Sequence, residues 1–107
     1  MLVALAELLS ATTRGGDVAC RYGGEEFVVV LPGADTQAAF ERAESWRRAF
    51  SELAVHCDTG AVRRTLSAGI ATWPIHTAED AATLLGLADR ALYTAKQGGR
   101  DCTVVAG

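Results

Sequence analysis

The stretch RYGGEEFVVVLP, from Arg21 to Pro32, limits the possible folds of this chain more than any other part of it. Two apolar runs, DVACRY and FVVVLP, flank a pair of glycines and a pair of glutamates. A glycine-rich segment between two such runs is typical of a β-hairpin, and Pro32 closes the second strand. The consecutive apolar residues from Val28 to Leu31 predict a strand that is covered on both faces.

Three further segments have the apolar spacing of amphipathic helices. The first opens the chain, ends near Thr12 and has an apolar face of Leu2, Leu5, Ala6 and Leu9. The second follows Asp35 or Thr36, either of which can cap it, and has a stripe of Phe40, Ala43, Phe50 and Leu53. The third follows Thr77 and Asp80, which resemble a capping box. It ends at Gly98 and Gly99 and has an apolar side of Leu84, Ala88, Ala91, Leu92 and Ala95.

Two more strands complete the predicted order. Residues from Val62 to Ile70 alternate between apolar and polar, which predicts one strand, and CTVVA near the end predicts another. The order α-β-β-α-β-α-β indicates an α+β sandwich, in which helices pack against a largely antiparallel sheet.

Composition excludes several classes of function. At 107 residues the chain is one domain at most, and a net charge of -3 argues against nucleic-acid binding through bulk charge. The opening MLVALAELLS is too short to span a bilayer, and Glu7 interrupts it. Cys20, Cys57 and Cys102 lack metal-ligand or redox spacing, so free thiols in a reducing, cytoplasmic compartment are expected.

The hairpin tip is the first candidate site. Glu25 and Glu26 offer hard oxygen ligands, and a divalent cation such as magnesium would relieve their mutual repulsion. Gly23 and Gly24 have no side chains and let a phosphate approach the backbone. The alternative is a solvated turn that carries two surface acids.

Two other motifs carry arginine. In AKQGGR, Lys96 and Arg100 can bring an ammonium and a guanidinium to one polyphosphate, although basic residues also favour helix C-termini for electrostatic reasons. In RGGD, Arg14 can bind a phosphate or a guanine edge and Asp17 can accept from guanine N–H groups. A glycine turn with an incidental ion pair explains RGGD equally well.

The remaining candidates are aromatic and histidine side chains. His56 and His76 lie near predicted loops and are expected on the surface, because neither has a partner at ligand spacing. Trp46 and Trp73 are expected to serve packing.

Together these segments resemble the GGDEF domain of the diguanylate cyclase family, in its GGEEF form. The resemblance runs through the lead-in helix, RYGGEEFVVVLP, AGIAT and ADRALYTAKQGGRD, in the family's order and spacing. It implies an adenylyl-cyclase-like (ferredoxin-like) α+β sandwich. It also implies that two GTP molecules condense to cyclic di-GMP, each held by one subunit of an antiparallel dimer, with Mg²⁺ or Mn²⁺ as cofactor. A sensory or receiver domain elsewhere in the parent protein is implied as well.

The resemblance assigns roles residue by residue. Glu25 matches the family's variable acid, associated with metal binding and activation of the 3′-hydroxyl, and Glu26 matches the invariant acid and metal ligand. Gly23 and Gly24 would lie along the phosphates, and the family's phosphate-binding lysine and arginine match Lys96 and Arg100. Many members carry an R-x-x-D product-inhibition site five residues before the glycine pair, a spacing that Arg14 and Asp17 match. Ser45 stands where members often have an arginine, which removes a secondary contact to cyclic di-GMP.

The resemblance also predicts a gap. The family's first strand, with its metal-binding aspartate, and its guanine-recognising side chains have no counterpart here, so residues 1–107 are expected to be a single, partial GGDEF domain. A missing central strand leaves two edges exposed, and the chain is expected to be marginally stable unless a partner copy covers it. Three functions follow: an active cyclase, a cyclic di-GMP-binding module without catalysis, or an inactive fragment.

Overall fold

Strands β1 (Val18–Gly23) and β2 (Glu26–Val30) form the predicted hairpin. They pair antiparallel from Val18 opposite Val30 to Gly23 opposite Glu26, with an irregularity between Arg21 and Gly23. The computed structural model describes residues 2–23, 26–53, 55–57, 60–62, 65–73 and 80–106. The tip residues Gly24 and Glu25, like His76 and Thr77 farther along, lie outside the described residues.

The three predicted helices are confirmed as α1 (Leu2–Thr12), α2 (Thr36–Glu52) and α3 (Ala81–Gln97). Asp35 caps α2, since its carboxylate accepts from the backbone N–H of Ala38 at 2.8 Å. Asp80 caps α3 in the same way through Thr83, also at 2.8 Å. The predicted capping box is therefore wrong in register, because Asp80 is the N-cap itself. No described helix is long and apolar enough to cross a membrane.

The predicted strand from Val62 to Ile70 is wrong in its extent. A second antiparallel hairpin, β3 (Val55–Cys57) and β4 (Gly60–Val62), comes first, and the strand β5 covers only Ala68–Ile70. The alternating pattern continues through residues 65–67, which are not in a strand, so the pattern could not reveal the interruption. The Asp-Thr pair between Cys57 and Gly60 is a turn signal that the sequence interpretation missed.

Strand β6 (Thr103–Val105) pairs with β5 in parallel, with Ala68 opposite Thr103. Helix α3 connects these two strands, as a parallel pair requires a crossover. Two of the three strand pairs are antiparallel, and within the described residues each pair is a separate two-stranded sheet. The α+β class is therefore confirmed, and the parallel pair is the exception to its antiparallel character.

The core lies where α2 and α3 pack against β5 and β6, with α1 against α2. Its buried hydrophobic side chains are Leu9, Ala43, Trp46, Phe50, Ile70, Ala91 and Ala95. Gly69 allows β5 to approach α3 closely, because a Cβ at this position would collide with the Ala88 carbonyl and the Leu92 backbone. The packing role of Trp46 is confirmed, and so are the predicted helix stripes except at two positions. Leu53 is 38% exposed and lies just beyond the end of α2, and the Leu2 side chain lies outside the described ones.

Two burial predictions are wrong. The run from Val28 to Leu31 is not covered on both faces, since Val30 is 52% exposed and its neighbours are only half-buried. Within the described residues β2 pairs with β1 alone, so its outer edge and face have less to pack against. Trp73, expected to pack, is 66% exposed and lies beyond the end of β5.

Candidate functional site

The beginning of β2 and the end of α3 meet at one ion pair. The Lys96 ammonium lies 3.6 Å from the Glu26 carboxylate, and each side chain is 35% exposed. Glu26 is placed by the hairpin, and Lys96 by the last turn of α3. Two motifs that lie 70 residues apart in the sequence therefore meet in space.

A small cavity of about 120 Å³ adjoins this ion pair and is lined by Glu26, Asp89, Leu92, Tyr93 and Lys96. Asp89 lies seven residues before Lys96, a spacing that puts both on one face of α3. Sequence interpretation missed Asp89, and this helical spacing to Lys96 is the signal that could have revealed it. The cavity thus combines two carboxylates with one ammonium.

The donor set of this cavity fits a magnesium ion that is shared with phosphates. Magnesium is commonly held by one or two carboxylates, with phosphate oxygens and water as its other ligands. Glu26 and Asp89 supply the carboxylates, and among the described residues no cluster of three metal-ligating side chains occurs. The rest of the coordination sphere would therefore come from a phosphate ligand, water or residues outside this set.

Arg100 follows α3 and is exposed. Its backbone N–H donates to the Ala95 carbonyl at 3.0 Å, while its guanidinium has no ion-pair partner among the described residues. Gly23 ends β1, opposite Glu26. The structure therefore brings Glu26, Lys96 and Gly23 near one another and records no direct contact between them and Arg100.

The RGGD motif forms a turn before β1. The Arg14 backbone N–H donates to the Asp17 carboxylate at 2.8 Å, and the Asp17 N–H donates to the Arg14 carbonyl at 3.0 Å. The guanidinium that pairs with the Asp17 carboxylate is that of Arg42 of α2, at 3.1 Å, and not that of Arg14. The Arg14 N–H bond and the Arg42 pairing lower the pKa of Asp17. Asp17 is thus held ionised, while Arg14 is exposed.

Sequence interpretation missed Arg42. Its guanidinium also donates to the Thr12 carbonyl at 3.2 Å and lies 4.9 Å from the centre of the Trp46 ring. The Trp46 indole in turn donates to the Thr12 hydroxyl at 2.7 Å. Arg42 precedes Trp46 by four residues, and this spacing on one helix face is the only signal of the cluster in the sequence. Ser45 is exposed on the same helix.

A polar network links α2 to the segment that carries Arg100. Arg47 makes two bonds to Glu44, at 2.8 and 2.9 Å, and a third to the Asp101 carboxylate at 3.0 Å. The Thr103 hydroxyl donates to Glu44 at 2.7 Å. The bonds from Arg47, followed by that from Thr103, lower the pKa of Glu44 to about 2. The bonds to Glu44, and then to Asp101, raise the pKa of Arg47 above its ordinary range.

The family model described as diguanylate cyclase, GGDEF domain, matches residues 1–102. The chain belongs to the GGDEF family. It is 36% identical over 101 residues to diguanylate cyclase A of Treponema denticola, covering 94% of this chain and 27% of that protein. It is 36% identical over 106 residues to diguanylate cyclase DgcM of Escherichia coli, covering 99% of this chain and 25% of that protein.

Solved GGDEF domains have the same fold. The active GGEEF domain of a Vibrio cholerae diguanylate cyclase matches with a TM-score of 0.88 and 31% identity, over 99% of this chain and 66% of that one. The DgcB GGDEF domain of Caulobacter crescentus, solved with c-di-GMP, matches with a TM-score of 0.85 and 27% identity. This match covers 95% of this chain and 58% of that one. The GGDEF chain thus spans about a quarter of those two curated relatives and 58–66% of these two solved chains.

Proposed function

We propose that this GGDEF chain forms the phosphate- and metal-binding part of a diguanylate cyclase, which condenses two GTP molecules to cyclic di-GMP. The observation that carries the proposal is the Glu26–Lys96 pair at 3.6 Å, with Asp89 lining the same cavity. A carboxylate for a cation and an ammonium for phosphates, side by side, are what phosphoryl-transfer chemistry needs. The family membership and the relatives named as diguanylate cyclases support the same reaction.

The residues have distinct proposed roles. Glu25 and Glu26 would hold Mg²⁺ or Mn²⁺, which when bound neutralises phosphate charge and favours ionisation of the attacking 3′-hydroxyl. Lys96 and Arg100 would bind the triphosphate, and Gly23 and Gly24 would let it approach the hairpin backbone. The Lys96 ammonium lies 3.6 Å from the Glu26 carboxylate, and a cation held by that carboxylate would leave the ammonium available for phosphate.

Joining two nucleotides requires two such sites face to face. We therefore expect a homodimer, in which each subunit presents one GTP to the other. With GTP as substrate and Mg²⁺ as cofactor, the proposed location of the reaction is the cytoplasm. Control by a sensory or receiver domain of the parent protein is part of the same proposal.

The RGGD turn supports a second candidate function, binding of cyclic di-GMP as an inhibitory product or by a non-catalytic module. Arg14 is exposed beside Asp17, which Arg42 and the turn hold ionised. The exposed Arg14 guanidinium can bind a phosphate. The Asp17 side chain is only 8% exposed, and it would accept from a guanine N–H through the carboxylate oxygen that Arg14 and Arg42 do not hold. If the chain forms no product, this function and that of an inactive fragment remain.

The first test is GTP turnover with Mg²⁺, with the products separated by chromatography. Glu26→Gln keeps the size of the side chain and removes its charge, so we expect turnover to fall at least about 100-fold through loss of cation binding. Glu41→Gln, which alters a glutamate of α2 that is exposed, is the matched control and is expected to retain turnover. Equal turnover by Glu26→Gln and wild type would contradict the role of Glu26, and no turnover by folded wild type would contradict the cyclase assignment.

The second test is binding of cyclic di-GMP by calorimetry. Arg14→Ala removes a charge-assisted bond, so affinity is expected to fall roughly tenfold or more. Arg48→Ala, which removes an arginine side chain that is 70% exposed on α2, is the matched control. Glu26→Gln is expected to bind cyclic di-GMP normally. Unchanged affinity in Arg14→Ala would exclude the RGGD turn as the binding site.

A further inference from the structure

Two consecutive residues after α3 have left-handed backbones without being glycine. Arg100 has a φ of 65° and Asp101 a φ of 47°, directly after Gly99 at 112°. Residues with a Cβ are disfavoured in this region, and such conformations persist only where the surroundings enforce them. A strained backbone at the residue proposed to bind phosphate requires a physical cause.

Three separate elements enforce this backbone. Ala95 of α3 accepts the Arg100 N–H at 3.0 Å, and the Ser67 hydroxyl, just before β5, accepts the Asp101 N–H at 3.0 Å. Arg47 of α2 bonds the Asp101 carboxylate at 3.0 Å and approaches its carbonyl at 3.5 Å. The turn is thus tied to α3, to the entry of β5 and to α2.

Arg47 is itself held in place. Glu44 binds two of its nitrogens in a fork, and Thr103 of β6 donates to the same Glu44 carboxylate. The side chains of Arg47 and Glu44 are 20% and 16% exposed, so solvent screens this contact less than it screens an ion pair on the open surface. The Arg47 guanidinium is therefore already oriented towards Asp101, which strengthens the bond that stabilises the turn at Arg100 and Asp101.

The network binds Asp101 and the backbone but leaves the Arg100 guanidinium free to bind a ligand. Among the described residues no carboxylate pairs with it, although Asp101 is its direct neighbour. A side chain on a fixed backbone loses less freedom when it binds a phosphate than one on a mobile loop. The left-handed backbone at Arg100 is consistent with phosphate binding, because a right-handed backbone at this residue would direct the side chain elsewhere.

We propose that Arg47 and Asp101 are positioning residues that hold Arg100 for binding the nucleotide phosphates. This inference rests on the proposed function, in which Arg100 contacts the triphosphate. It adds that this contact depends on an ion pair between Asp101 and Arg47 of α2, two residues outside the GGEEF hairpin and the AKQGGR motif.

The test is a double-mutant cycle on the affinity for Mg²⁺–GTP, measured by NMR titration of the complete chain. Asp101→Gly is the main variant, because glycine accepts a φ of 47°, so the carboxylate is removed without a steric penalty in this backbone. We expect affinity to fall about two- to tenfold in Asp101→Gly and in Arg47→Ala. In an Arg100→Ala background the same changes are expected to have no further effect. Arg90→Ala, which removes an exposed arginine of α3 that has no ion pair among the described residues, is the control and is expected to bind like wild type.

A purely structural role for the network predicts a different pattern. Asp101→Gly and Arg47→Ala would then lower the unfolding midpoint but leave the affinity of the folded protein for Mg²⁺–GTP unchanged. If Arg100→Ala weakens binding in the same experiment, this result overturns the inference. An equal loss of affinity with and without Arg100 would also overturn it. If Arg100→Ala binds like wild type, the positioning role is excluded as well, whereas the cyclase assignment is judged separately by turnover of Glu26→Gln.

Discussion

The two ends of the candidate site belong to regions of very different packing. The region formed by β5, β6, α2 and α3 contains most of the buried side chains and the Glu44–Arg47–Asp101 network. The β1–β2 hairpin exposes Val18, Tyr22 and Val30 by 52–60%, and it contacts the helices through ion pairs at its two ends, Asp17–Arg42 and Glu26–Lys96.

This difference means that the packed region determines stability, while the candidate site draws residues from both regions. Lys96 and Arg100 extend from the well-packed region, whereas Glu26 and Gly23 belong to the hairpin. Changes in the packed region should therefore alter unfolding, and changes on the hairpin surface should alter it little. The candidate site needs both regions, because Glu26, the acid proposed to bind the cation, lies on the hairpin.

The largest expected effect is at Gly69, in the packed region. Gly69→Ala adds a Cβ that collides with backbone atoms of α3, which cannot move aside as a side chain can. We expect a loss of about 3 kcal/mol or more in the free energy of unfolding, measured with urea. Gly86→Ala is the matched control within α3, where an added Cβ meets nothing within 4 Å, and it should stabilise by about 0.5–1 kcal/mol. Equal stability of the two variants would contradict the close packing of β5 on α3.

A second effect is the pH dependence of the packed region. The pKa of Glu44 is about 2 in the fold against an ordinary 4.5. Its ionised form is therefore favoured by folding, so this stability is present above pH 4.5 and is lost as the pH falls towards 2. Glu44→Gln should remove about 1–2 kcal/mol at neutral pH, after allowance for partial solvent screening, and flatten the loss of stability in acid.

The control for this prediction is Glu41→Gln on the same helix, whose carboxylate accepts only from the neighbouring Gln37 side chain among the bonds described. Chemical unfolding between pH 2 and 7 would measure both variants. An acid slope in Glu44→Gln as steep as that of wild type would show that another carboxylate is responsible.

The smallest expected effect is on the hairpin. Val30→Thr changes a side chain that is 52% exposed, so the free energy of unfolding should shift by less than about 0.5 kcal/mol. Ile70→Val, in the buried β5, should cost about 0.5–1.5 kcal/mol although it removes only one methyl group. A loss above about 1.5 kcal/mol for Val30→Thr would mean that the hairpin face is covered, for example by a second copy, and its dependence on protein concentration would test that.

The sequence predicted the elements of the packed region well because their signals are local. Asp35 and Asp80 precede amphipathic patterns, and the stripes on α2 and α3 follow helical spacing. The hairpin was also predicted, from its glycines and flanking apolar runs. The interruption before β5 was not predicted, because a polar–apolar alternation is the same whether or not its residues pair with another strand.

Burial was the less predictable property, since it depends on what packs against a strand. Val28 to Leu31 resemble an internal strand, yet β2 has one partner among the described residues. The site residues follow the same rule. Glu26 and Lys96 were recognised from their motifs, while Arg42 and Asp101 gain their ion-pair partners only through the fold. Their contacts join elements that are distant in sequence, and local patterns do not specify them.

The contrast between Trp46 and Trp73 gives this protein two optical probes with different environments. Trp46 is 8% exposed, bonded to Thr12 and covered by the Arg42 guanidinium, whereas Trp73 is 66% exposed. Iodide in solution would quench Trp73 and spare Trp46, so the residual fluorescence would come from the indole beside Arg42. Because Arg42 also holds Asp17, a ligand that pulls this guanidinium away from the RGGD turn would change the emission of Trp46 without any added label.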